Sequence, residues 1–122
     1  MIADGKRDLA IASLIALRKK SPNSAYIPFL LGNLYNDRLW WSVSLDFYKA
    51  AISKNAAYRG NAVLNKNVIN MLGSPKTARK AELFLRGQIG GRYAGGYLRS
   101  AAKNAKHPTV RKQAARLAKS IR

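Results

Sequence analysis

Apolar residues recur at intervals of three and four along this chain, and no useful stretch alternates with a period of two. The spacing predicts seven helices and no strand, an all-α fold. The first helix runs over Asp4–Lys20, with Leu9, Ala10, Ser13, Leu14 and Leu17 as its inward stripe. Asp4 and Asp8 near its start, and Arg18, Lys19 and Lys20 at its end, suit the helix dipole. Pro22 stops it. Asn23 or Ser24 can cap the second helix, which reaches Asn36 or Asp37. Pro28 falls near its first turn, where a missing N–H costs little.

The third helix covers about 39–54 and carries Trp41, Leu45, Tyr48, Ala51 and Ile52, with Asn55 as its stop. A fourth is expected over about 57–72, ending at Gly73. Ser74-Pro75 then reads as a helix start, a capping hydroxyl followed by proline at the first helical position. That fifth helix runs to about Gln88, with Ala78, Ala81, Phe84, Leu85 and Ile89 inward, and Gly90-Gly91 ends it. A sixth covers about 93–104 and carries Tyr97, Leu98, Ala101 and Ala102. His107-Pro108 opens the seventh, in which Val110, Ala114, Leu117 and Ile121 form one apolar stripe.

Small residues fall at positions where two helices must touch. Gly32 and Ser44 form an expected close-approach pair, with Leu31, Tyr35, Trp41 and Tyr48 filling the space around them. The register repeats: Gly5, Leu39 and Gly73 are spaced by 34, as are Ala10, Ser44 and Ala78, and Leu17, Ala51 and Leu85. The run from Pro22 to Ala56, with Leu31-Gly32-Asn33-Leu34-Tyr35, Trp41, Ser44, Tyr48 and Ala51, resembles one tetratricopeptide repeat, a helix–turn–helix unit of about 34 residues. The resemblance is good over residues 5–56 and degenerate to 89, where Lys66 replaces the glycine at Gly32 and Ile69 the tyrosine at Tyr35. The C-terminal part is weakly similar to a HEAT repeat. The resemblance implies a short right-handed α-solenoid of stacked helix pairs, a single domain over 1–122. The start inside a repeat leads us to expect a fragment or terminal domain of a larger protein.

The resemblance also implies a protein-interaction module. In this family the first helix of each pair lines a concave face, which places Tyr26, Phe29, Asn33 and Asn36 there, and Gly60, Val63, Asn67 and Asn70 in the next pair. Asparagine amides can grip an extended peptide through donors and an acceptor, and Asn33 matches a position the family often uses. The competing reading has Tyr26 and Phe29 packed on the preceding helix. Such repeats are often appended to bacterial signalling proteins, serine/threonine kinases among them, although the kinase motifs are absent from this chain.

Charge sharpens the picture. The chain has 23 Lys and Arg against 5 acidic residues, a net +18 over 122 residues. Such a balance attracts polyanions: an acidic protein segment, nucleic acid or an anionic surface. After Glu82 ten basic residues follow and no acidic one. Arg99, Lys103, Lys106, Arg111, Lys112, Arg116 and Lys119 are the candidate polyanion contacts, with Tyr93 and Tyr97 interleaved. A basic face with aromatics could hold a nucleic-acid backbone and stack a base. For Tyr97 a place in the core is preferred.

Catalytic chemistry finds few residues. There is no cysteine, one histidine (His107), and the carboxylates Asp4, Asp8, Asp37, Asp46 and Glu82 show no metal-ligand or paired acid–base spacing. Asp37 and Asp46 are expected to balance Arg38 and Lys49, and His107 to mark a helix boundary. Gly90-Gly91-Arg92-Tyr93-Ala94-Gly95-Gly96 could cradle a phosphate, but no strand precedes it and the Walker lysine is missing. A close-packed turn is the preferred reading. No enzyme activity, metal or cofactor is therefore expected. No apolar run approaches the roughly 20 residues of a membrane span, and Met1-Ile2-Ala3-Asp4-Gly5 lacks a signal-peptide design. A cytoplasmic location is expected. The leading function is recruitment of an acidic protein partner; the alternative is nucleic-acid binding through the basic C-terminal helices.

Overall fold

A computed structural model describes residues 4–122. The expectation drawn from Met1, Ile2 and Ala3 falls outside the described residues. Among these residues there are seven α-helices and no strand. The chain divides into two compact units, Met1–Ala56 and Ala57–Arg122.

The first unit holds α1 (Asp4–Lys20), α2 (Tyr26–Asp37) and α3 (Trp41–Lys54). Ser24 helps open α2, its Oγ accepting from the Ile27 N–H at 3.4 Å. Ile11, Leu31 and Leu34 form a core cluster, flanked by Ala10, Leu14, Ile27, Tyr35 and Phe47. The α2–α3 pair closes where small residues were expected. Ser44 Oγ donates to the Gly32 carbonyl at 2.7 Å. A Cβ on Gly32 would overlap the ring of Tyr48, itself fully buried. Leu31 and Tyr48 are buried as expected; Tyr35 and Trp41 are half-buried.

The α1 stripe is a correction. Leu9 is 71% exposed and Leu17 49%, whereas Arg7 and Ile11 are buried. Helix α1 is apolar around most of its circumference, so its own pattern does not choose a face; packing against α2 does. The turn ahead of α3 is tight: Leu39 has φ 64°, an unusual left-handed value for a residue with a side chain, and the Trp40 N–H donates to the Tyr35 carbonyl at 3.0 Å. A second correction concerns Arg38, which pairs with Asp8 of α1 rather than with Asp37. The guanidinium also covers the Trp40 ring at 4.5 Å. Trp40 stacks on Tyr35 at 5.7 Å and Tyr35 on Phe47 at 5.4 Å, and Arg18 covers the far side of Phe47 at 5.2 Å.

The second unit begins with a 3₁₀ turn (Ala56–Gly60) and continues through α4 (Ala62–Asn70), a further 3₁₀ turn (Met71–Gly73), α5 (Ala78–Phe84), a π turn (Leu85–Ile89), α6 (Gly91–Asn104) and α7 (Pro108–Ser120). The single helix expected over 57–72 is thus interrupted. Asn61 caps α4, its Oδ1 accepting from the Leu64 N–H at 3.0 Å. Buried Asn65 donates from Nδ2 to the Arg59 and Asn61 carbonyls, both at 2.9 Å, which fixes the 3₁₀ turn. The fifth helix starts later than Ser74-Pro75 implied. The Ser74 carbonyl accepts from the Thr77 and Ala78 N–H groups, and Thr77 Oγ1 donates to the Met71 carbonyl at 2.9 Å, so Thr77 becomes the boundary.

Gly90 ends the π turn at φ 86°, a conformation that favours glycine. Gly91 has the Arg122 main chain where a Cβ would stand, and its N–H donates to the Arg122 carbonyl at 3.0 Å. Of this glycine pair, close packing thus holds at Gly91 alone; Gly90 is open, and the residues from Gly91 to Gly96 belong to α6 rather than to a turn. His107-Pro108 opens α7 with proline in its first turn. Val110, Ala114 and Leu117 are buried against a core that includes Leu64, Val68, Leu85, Ala94 and Leu98.

Candidate peptide and polyanion interface

The first-unit residues assigned to a concave face divide. Tyr26 is 59% exposed and stacks on Phe29 at 6.4 Å. Phe29 is buried, its ring 6.2 Å from that of Tyr48, so it packs in the core rather than forming a surface. Asn33 is half-buried and already engaged: the Tyr48 hydroxyl donates to its Oδ1 at 2.5 Å. The Asn36 carbonyl accepts from Trp41 Nε1 at 3.3 Å, while its buried Oδ1 has no hydrogen-bond partner among the described residues.

The second unit offers a groove of about 770 Å³. Lys66, Ile69 and Asn70 of α4 form one wall. Tyr97, Ser100, Ala101 and Asn104 of α6 form the other, and Lys106, His107 and Val110 close one end. Asn70 is exposed and lines this groove; Asn67 is half-buried and is not among the lining residues. The helix period explains the far wall: Tyr97, Ser100 and Asn104 stand at i, i+3 and i+7 on one face of α6. Tyr97 is anchored, its hydroxyl donating to the Gly60 carbonyl at 2.8 Å. No carboxylate lines the groove, while two lysines and two asparagines do. That set can pair with carboxylates and hydrogen-bond a peptide main chain, with half-buried Ala101 meeting small apolar groups.

Sequence reasoning missed Lys66, Ser100, Asn104 and His107. The i, i+3, i+7 series on α6 was the available signal. His107 serves as the helix boundary expected of it while also lining the groove.

The basic residues also divide. Arg99, Lys103, Lys106, Lys112 and Lys119 are exposed. Arg111 is half-buried and closes the α6–α7 turn, donating from Nη1 to the Ala105 and Lys106 carbonyls at 2.7 and 3.1 Å. Arg116 donates to Glu82 at 2.5 Å and to Gln113 at 3.0 Å. Arg86 donates to the same carboxylate at 3.1 Å and to Ser120 at 2.8 Å. The Arg116 guanidinium foremost, then Arg86, holds the Glu82 carboxyl below its ordinary value against the opposing effect of burial. Glu82 is the one acidic residue in the second unit's sequence, against fifteen Lys and Arg. A single carboxylate cannot offset that charge.

Among the described residues no three His, Asp or Glu side chains gather as a metal site, and no helix is long and apolar enough to cross a membrane. No protein-family model, curated protein or solved structure matches this chain.

Proposed function

We propose that this protein is a non-catalytic helical-repeat interaction module, a short right-handed solenoid of tetratricopeptide-like pairs, that recruits a protein partner through an acidic segment. The observation that carries this reading is the groove between α4 and α6, with Lys66, Asn70, Asn104, Lys106 and no carboxylate on its walls. An extended peptide meets amide groups for its main chain, cations for its carboxylates, and a small apolar contact at Ala101. The excess charge around the groove speeds encounter with such a segment. In the first unit Phe29 is buried and Asn33 is held by Tyr48, which supports the second unit as the recruiting face.

The test is fluorescence anisotropy with a labelled peptide of alternating glutamate and alanine. Lys66→Glu with Lys106→Glu is expected to weaken binding by more than about tenfold, since like charges set against a partner are costly. Asn70→Ala is expected to weaken it without changing its salt dependence. Undiminished binding by the double variant would defeat the reading.

A further inference from the structure

The face of α6 beside the groove has a different character. Arg92, Gly96, Arg99 and Lys103 stand at i, i+4, i+7 and i+11, within one narrow strip of the helix surface, and all four are exposed. The helical rise puts Arg92 about 10 Å from Arg99 and Arg99 about 6 Å from Lys103 along the axis. Helix α6 contains no acidic residue. Glu82, the second unit's single carboxylate, is engaged by Arg86 and Arg116.

Gly96 adds a second, independent observation. Glycine inside a helix costs roughly 0.5–1 kcal/mol relative to alanine. Neighbouring Gly95 is buried, and a Cβ there would meet Arg99 Nη1 at 3.2 Å. At Gly96 the nearest atom to a Cβ is Arg99 Nη2 at 3.9 Å, an ordinary contact. Packing does not require glycine at 96. The result is exposed helix backbone between two arginines, with only the Arg99 guanidinium beside it. One turn before Tyr97, on the neighbouring face of α6 and next to Gly60, Tyr93 is 41% exposed, with the Arg92 guanidinium 5.7 Å from its ring centre.

We infer that this edge of α6 is a second binding surface, separate from the groove, for the phosphate backbone of single-stranded nucleic acid. Arg92, Arg99 and Lys103 contact successive phosphates, Gly96 admits the backbone, and Tyr93 offers a ring on which an unpaired base stacks. Guanidinium forks match phosphate oxygens two at a time. An acidic peptide would have little use for the tyrosine face. A lipid surface would need large apolar residues here, and Tyr93 is the one large exposed apolar side chain on α6.

The test uses the whole chain and labelled oligo(U) and oligo(dT) of about a dozen nucleotides, by anisotropy between about 50 and 200 mM salt. Three phosphate contacts predict about a twentyfold loss of affinity over that range. Arg92→Gln with Arg99→Gln and Lys103→Gln is expected to lower low-salt affinity at least tenfold and flatten the salt dependence. Gly96→Glu, for which the helix has room, is expected to lower affinity likewise while far-UV circular dichroism stays unchanged. Tyr93→Leu is expected to lower affinity about fivefold or more, with the salt dependence kept. Lys66→Glu with Lys106→Glu, which empties the groove of its cations, should leave oligonucleotide binding within a few-fold. Absence of wild-type binding at the lower salt overturns the inference. So does loss in the groove variant with retention in the α6 variants, or full competition by the glutamate–alanine peptide. The peptide reading stands or falls separately, on the groove variants alone.

Discussion

The two units solve the same packing problem with similar inward polar contacts and very different net charge. In the first, polar groups turn inward. Ser44 bonds the Gly32 carbonyl, Tyr48 bonds Asn33, and Arg38 ties Asp8 to the Trp40 ring. Eight basic residues meet four acidic ones there, a net +4. In the second, Asn65, Thr77 and Tyr97 likewise bond main-chain carbonyls, but the charge of +14 stays largely on the surface. A polar residue committed to its neighbours stabilises the fold, and one left in solvent is available to a partner. The difference lies in charge: the second unit keeps most of its cations in solvent, while in the first Phe29 is buried and Asn33 is held by Tyr48.

The largest effect should come from Gly32→Ala, which drives a methyl group into the Tyr48 ring. The expected loss is about 3 kcal/mol, the upper end for overpacking a tight core. It should appear as a lower urea midpoint for the first unit, with little change in the second. Tyr48→Phe is milder. It removes the bond to Asn33 at a cost of about 1 kcal/mol and frees the Asn33 amide. Peptide affinity that rises in this variant would return the first unit to the binding face; unchanged affinity keeps the comparison as drawn.

Glu82→Gln tests the second unit's one internal charge network. The loss at neutral pH should be about 1 kcal/mol, as for partly exposed ion pairs. The folded pKa of Glu82 lies below the unfolded one. Its stabilisation is therefore complete above the ordinary value of 4.5 and fades as pH falls through the lowered folded value. Thermal melts between about pH 3 and 7 should show this slope in the wild type and less of it in the variant. The smallest effect, of opposite sign, belongs to Leu39→Gly. It relieves the left-handed backbone, a strain of about 1 kcal/mol, and forfeits little because the side chain is exposed. A modest rise in Tm is expected.

Most helices were legible because their ends carry local signals. Pro22 and the lysines before it fix the end of α1, and His107-Pro108 fixes the start of α7. The Gly32–Ser44 contact was legible because close approach demands small side chains on both helices. The break before α4 was not, since Asn61 accepts from the Leu64 N–H and Asn65 donates to two carbonyls, main-chain bonds that a pattern of apolar residues does not register. The delayed start of α5 depends on Thr77 reaching the Met71 carbonyl, again a side-chain bond to the main chain. The buried face of α1 depended on α2. At the interface, Asn70 could be read from repeat register. Lys66 and Asn104 required knowing which helix walls face each other across the groove.

The ring ladder in the first unit has an optical consequence. Both tryptophans of the chain, Trp40 and Trp41, belong to that unit, and Trp40 lies between the Tyr35 ring and the Arg38 guanidinium. Indole emission excited at the red edge therefore reports on this half of the molecule alone. Tyr58, Tyr93 and Tyr97 of the other half have no indole within their own unit to accept their excitation. Tyrosine signal is shared, since Tyr26, Tyr35 and Tyr48 lie in the first unit, but indole emission follows melting or ligand titration of that unit without an attached label.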